Sequence, residues 1–263
     1  MLNSLLTLAP ILLAINHPTP CRRLEVCLSP GCVADGASEA LCRLRALAPL
    51  DSFSVEPGKC ASACGAGPVV IEPSDKANVP TIVHKNVKGV ALVKLLEADG
   101  VEVDPKIVDG YELAMQGKAA MTEKDNKKAA RLLEEGISTA FDSVAGQSSE
   151  AATAECSAAV APHAEWILAA YCNLAAVRLK ISDKDGALEA AHNACELSRS
   201  IDPLSLETMA EVCAAKKDDV GELDALRKIF ALPQEDDPPR DVALRRRSQS
   251  FRLARLESLT GTG

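Results

Sequence analysis

Two short cysteine loops, Cys27-Leu-Ser-Pro-Gly-Cys32 and Cys60-Ala-Ser-Ala-Cys64-Gly-Ala-Gly-Pro, constrain this chain more than any other stretch. Each follows a run with strand character, residues 24–27 before the first and 53–56 before the second. Between them, residues 38–48 put Leu41, Leu44 and Ala48 on one helical face. A strand–helix–strand crossover lays its two strands side by side and parallel. Loops leaving the carboxyl ends of such strands emerge at the same end of the sheet. Four thiols far apart in sequence are therefore expected in one place.

The pattern continues for about as long as one small domain needs. Val69-Val-Ile71 and Thr81-Ile-Val83 read as a hairpin with a long polar loop. Residues 87–98 read as a closing helix, with Val90, Val93 and Leu96 inward and Gly100 as its stop. The expected order is strand, helix, strand, strand, strand, helix over residues 24–100.

Three occupants suit four thiols at one site. A [2Fe-2S] cluster takes two thiolates per iron, which suits the x4 and x3 spacings. Structural zinc also accepts four cysteines, although its loops are most often C-x2-C. A dithiol oxidoreductase needs C-x-x-C at a helix N-terminus, and the chain has none. Plant-type C-x4-C-x2-C ligation also fails, because Val33-Ala-Asp35 follows Cys32.

Residues 24–99 resemble the thioredoxin-like [2Fe-2S] ferredoxins, a group that includes the small peripheral subunit of respiratory NADH dehydrogenases. The resemblance rests on Val26-Cys27-x4-Cys32 after the first strand and on Cys60-x3-Cys64-Gly65-x-Gly67-Pro68-Val-Val before the third. It implies a thioredoxin-like α/β fold and an electron-carrier role, with Cys27, Cys32, Cys60 and Cys64 as cluster ligands. Gly65 and Gly67 would bring backbone N–H groups close to the sulfurs. A tight turn would use the two glycines equally well. Pro68 reads either as the cis-like turn of thioredoxin folds or as a plain strand start. Cys42, beside Leu41 in the helix, is expected to be semi-buried and inert. The dehydrogenase subunits carry a helical segment before the ferredoxin domain, whereas here helices follow it. That arrangement points to a free-standing carrier or sensor.

Residues 104–233 are helical in pattern and repetitive. Gly117 is followed by Ala129 and Gly136, 12 and 19 positions later, and Ala175 by Ala187 and Ala194 at the same intervals. A weaker copy runs from Ala210 to Glu222, Leu226 and Ile229 and closes at Pro233. These positions resemble tetratricopeptide repeats, in which small residues let paired helices approach closely. Stacked hairpins then bury a core that one alone could not. The wider interval between the first two copies leaves room for an insert near 142–162. Trp166 and Tyr171 open the second copy and read as packing residues. Cys172, Cys195 and Cys213 fall on apolar stripes as small core residues, while Cys156 lies in the insert with no assignable role.

The remaining features bound the function. Residues 1–23 lack Asp and Glu, and the run from Leu5 to Ile15 is too short to span a bilayer. The segment reads as a targeting piece or a tail, pointing to a plastid, with cytoplasm or mitochondrion as alternatives. Residues 101–233 carry 14 basic against 23 acidic residues in a chain of net charge −8, so nucleic acid is not an expected partner. The Arg-rich tail, 234–263, reads as a solvated helix or a disordered end, or as a partner for the repeats' own acidic face. His17, His84, His163 and His192 have no ligand spacing, and no catalytic constellation is present. The expected whole is a thioredoxin-like α/β domain followed by all-α tetratricopeptide-like repeats. It would be an electron carrier with one [2Fe-2S] cluster, docked through its helices to a protein partner and working with a redox partner protein. The alternative is an interaction scaffold whose four-cysteine site holds zinc or nothing.

Overall fold

The computed structural model describes residues 22–48, 53–60, 62–63, 65–73, 81–98, 103–145, 164–233 and 240–260. They are mostly helical, with one small mixed sheet near the N-terminus. The chain divides into two compact units. The first takes the chain up to Leu41 and again from 53 to Lys88, and the second takes Cys42–Ala48 and the described chain from Gly89 onward.

The first unit holds β1 (Arg22–Cys27), β2 (Phe53–Gly58), β3 (Val70–Glu72) and β4 (Ile82–His84) in the order β2-β1-β3-β4. β1 and β2 are parallel, with Cys27 opposite Gly58. β3 pairs antiparallel with β1 and with β4. Leu24 and Val26 are fully buried, as alternation along a strand with one covered face requires, and Val69 and Val70 are buried where the chain enters β3. Arg23 ties the parallel pair on its other face, meeting Glu25 at 2.9 Å and Glu56 at 3.0 Å.

Two helices lie between β1 and β2. The expected one is α2 (Ala37–Leu47), whose Leu41 and Leu44 are buried with the following Ala48. Ahead of it stands α1 (Pro30–Ala34), a single turn in a stretch that sequence reading takes for a loop. Pro30 is compatible with a helix start, since its missing N–H is one no first turn can bond.

The second unit contains α3 (Val90–Ala98), α4 (Pro105–Thr122), α5 (Asn126–Ala145), α6 (Ala164–Lys180), α7 (Lys184–Leu197), α8 (Pro203–Lys216), α9 (Asp219–Ala231) and α10 (Arg240–Thr260). The buried face of α3 is Leu92, Leu95 and Leu96, while Val90 is 68% exposed. Of the residues expected inward, Leu96 is buried and Val93 half-buried, while Val90 is exposed because it is the first residue of the helix, directly after Gly89 with φ +51°.

From α4 to α9 the helices form three hairpins. α4 packs on α5, α6 on α7 and α8 on α9, and the first helices also touch in succession, α4 on α6 and α6 on α8. The turns are built alike. Lys124, Ser182 and Lys217 each take a left-handed conformation with φ +63°, +67° and +62°. The aspartate that follows donates its N–H back across the turn, Asp125 to Ala120 at 3.0 Å, Asp183 to Arg178 at 2.8 Å and Asp218 to Cys213 at 2.9 Å. The same aspartates accept N–H bonds from the first turn of the next helix, from Lys128, Gly186 and Gly221. Each side chain thus occupies a donor that a helix start leaves open.

All nine small or substituted repeat positions are buried, from Gly117, Ala129 and Gly136 through Ala175, Ala187 and Ala194 to Ala210, Glu222 and Ile229. Trp166 is buried and meets Tyr111 edge-on, with ring centroids 5.8 Å apart. Within the Arg-rich tail, Arg240–Thr260 form α10, which covers the last hairpin. Leu256 is buried in a cluster with Leu206, Ala210, Leu223 and Leu226. Arg252 bonds Glu222 at 2.6 Å, and Arg245 and Gln249 reach Glu207 at 3.4 and 3.1 Å. The helix therefore folds against the repeats' own acidic side chains instead of standing free in solvent. Residues 1–21, and the expected insert from 146 to 162, lie outside the described residues; positions 142–145 belong to α5.

Candidate metal centre

Three of the four cysteines lie among the described residues, at or just beyond the ends of β1 and β2. Cys27 ends β1 and is buried, and its N–H donates to the Val69 carbonyl at 3.0 Å, which fixes the strand end against the start of β3. Its thiol donates to Ser29 Oγ at 3.4 Å. Cys32 sits in α1 and is fully buried. The Ser29 carbonyl accepts from the Val33 N–H at 2.9 Å, so the turn carrying Cys32 begins two residues after Cys27.

Cys60 lies two residues past Gly58 and is exposed. The parallel register sets Gly58 beside Cys27, so the loop holding Cys60 leaves the sheet at the same end. Gly58 permits close pairing there: a Cβ on it would stand 2.6 Å from Glu25 Cβ. Cys64 lies outside the described residues. Among the described residues, no group of three or more His, Cys, Asp or Glu is close enough to hold a metal ion.

Gly65 and Gly67 both have positive φ, +85° and +82°, a backbone region that side chains rarely enter. They differ in surroundings. A Cβ on Gly65 would meet open space, whereas one on Gly67 would stand 2.9 Å from Asn86 Oδ1 and 3.0 Å from its Cα. Turn conformation accounts for Gly65, and turn plus close approach of Asn86 accounts for Gly67. Val87 N–H donates to the Pro68 carbonyl at 3.1 Å, closing the loop on itself. The Gly67–Pro68 peptide is trans, and Pro68 lies in a bend two residues before β3.

The chemistry of the donor set fits an iron–sulfur cluster. All four side chains are thiols, two loops supply a pair each, and neither loop carries Asp, Glu or His. Two exposed apolar side chains, Leu28 and Val33, flank Cys27 and Cys32. Sequence reading passed over both, because isolated apolar residues in a cysteine loop carry no periodic signal.

The other described thiols stand apart from this chemistry. Cys42 is exposed on α2, not semi-buried, because the buried side of the helix is taken by Leu41 and Leu44. Cys172, Cys195 and Cys213 are buried in the helical hairpins. Burial pushes the Cys172 thiol up to about 11, opposed in part by its hydrogen bond with Thr208. Burial also raises Cys195 and Cys213, so all three stay protonated and poorly nucleophilic at neutral pH. The chain matches no protein-family model and no curated protein. Among the described residues, no helix is long and apolar enough to cross a membrane.

Proposed function

We propose that the chain is an electron-transfer protein in which Cys27, Cys32, Cys60 and Cys64 hold one [2Fe-2S] cluster. The supporting observation is the parallel register of β1 and β2, with Cys27 opposite Gly58, which brings the two cysteine loops to one end of the sheet. The cluster, when bound, supplies one-electron redox chemistry. The protein's part is to present four thiolates, two from each loop, and to limit water around them. Cys27 and Cys32 are already buried, and Cys60 must turn inward with its loop as the site loads, a coupling of ligand binding to local folding. Leu28 and Val33 give the rim an apolar surface that a redox partner protein can cover.

On this reading residues 24–100 are a thioredoxin-like ferredoxin domain, and the hairpins from α4 to α9 are tetratricopeptide-like repeats that dock a protein partner. The strand order, the three matched turns and the stacked first helices support it. The test is the visible absorption spectrum of the anaerobically purified chain beside its Cys60→Ser variant. A sulfur-to-iron charge-transfer spectrum that the variant loses, with helical circular dichroism kept, supports the reading. A colourless wild-type protein, or a spectrum unchanged in Cys60→Ser, overturns it.

A further inference from the structure

We propose that Ser248, in α10, is a phosphorylation site for an arginine-directed protein kinase, and that its phosphate loosens α10 from the last hairpin. The sequence around it is Arg245-Arg-Arg-Ser248-Gln-Ser250-Phe-Arg252. Two arginines stand three and two residues before the serine, a spacing that an acidic substrate groove reads through paired guanidinium–carboxylate contacts. Ser248 is exposed. A kinase cleft takes an extended segment, and a terminal helix held by few buried side chains opens locally at low cost. In the reaction the Ser248 hydroxyl oxygen bonds to the γ-phosphorus of a nucleoside triphosphate. The bond from that phosphorus to the β,γ-bridging oxygen breaks, the nucleoside diphosphate leaves, and the hydroxyl proton passes to a carboxylate of the kinase.

The position of Ser248 gives the phosphate its effect. On a helix, residues three and four apart are surface neighbours. Ser248 follows Arg245 by three and precedes Arg252 by four, and these are the arginines that bind Glu207 and Glu222. A phosphoserine carries about −1.5 to −2 charges near pH 7. Placed between the two guanidinium groups, it draws them away from their carboxylates. It also adds repulsion against Glu207, which Gln249, the next residue along, already bonds at 3.1 Å. Ser250 is exposed too, but its neighbours three and four positions away are Arg246, Arg247, Leu253 and Ala254, none of which holds Glu207 or Glu222. The two serines are therefore distinguishable.

The experiment incubates the full chain with ATP and the catalytic subunit of cyclic-AMP-dependent kinase, beside the Ser248→Ala and Ser250→Ala variants. Phosphopeptides are mapped by mass spectrometry, and amide hydrogen exchange is read along α10. The inference expects phosphate in the wild type and in Ser250→Ala, and none at the tail in Ser248→Ala. It expects exchange in α10 to quicken at least about five-fold on phosphorylation, the scale set by losing the more exposed of the two ion pairs alone, with α4 and α5 unchanged. No incorporation in the wild type, tail incorporation that persists in Ser248→Ala, or phosphorylation without faster α10 exchange would overturn it.

Discussion

Gly110 of α4 and Gly136 of α5 face each other so closely that a Cβ added to either would stand 2.6 Å from the other's carbonyl oxygen. Both obstacles are backbone, so neither can swing aside. Two turns along α4, a Cβ on Gly117 would meet Leu133 Cγ at 2.8 Å, where the nearest obstacle is a side chain and not backbone. Gly136→Ala gains about 1 kcal/mol of helix propensity and loses more to overpacking, which costs about 1–3 kcal/mol in a tight core. We expect a net loss of stability in Gly136→Ala and a smaller change in Gly117→Ala, read as urea midpoints by helical circular dichroism. Equal stability of Gly136→Ala and wild type would mean that the helices do not cross this closely.

The third hairpin carries Glu222 where the other two have Ala129 and Ala187, and Arg252 of α10 reaches it across the hairpin surface. Glu222 is 7% exposed. Arg252→Ala leaves that carboxylate buried and unpaired, and should cost about 2 kcal/mol, less than a fully buried pair because Arg252 is partly solvated. Glu222→Ala with Arg252→Ala restores what the other hairpins have and should recover most of the loss. A double variant no more stable than Arg252→Ala alone would show that the pair does not hold α10 in place.

Cys172 gives the helical unit an alkaline limit. The unfolded thiol ionises near 9.0, the folded one only at about 11, chiefly because burial disfavours the thiolate. Below pH 9.0 both states keep the proton and the contribution is intact. As pH rises toward about 11 the unfolded state alone loses its proton, so stability falls across that window. Tyr171 and the raised Cys195 and Cys213 act in the same direction. Urea midpoints should drop between pH 9 and about 11, and the drop should be shallower in Cys172→Ala. A variant with the wild-type slope would remove Cys172 as a cause.

How much of this was legible in the sequence follows from how local each signal is. β1, β2 and the β3–β4 hairpin were readable because alternation and β-branched runs are local, and their observed limits lie within two residues of the expected ones. The repeat spacing from Gly117 and Ala175 found buried positions because close helix approach demands small side chains wherever it recurs. Gly110 was missed because only the first hairpin uses it. The turn aspartates Asp125, Asp183 and Asp218 recur at the same intervals as the repeat, a local capping signal as legible as the small residues. The docking of α10 was beyond local reading, since Arg245 and Arg252 find partners 38 and 30 residues away. At the cysteine loops, the strand order gave the shared sheet end, but the turn of α1 under Cys32 was hidden by a Pro-Gly pair that reads as a loop.

The central claim is that the four cysteines bind two irons and not one zinc. Iron, inorganic sulfide and zinc should be measured per chain, on full-length protein purified without oxygen. The account predicts about two irons and two sulfides per chain with zinc near zero, and loss of both iron and sulfide in Cys60→Ser. About one zinc per chain without sulfide, or no bound metal at all, would contradict it.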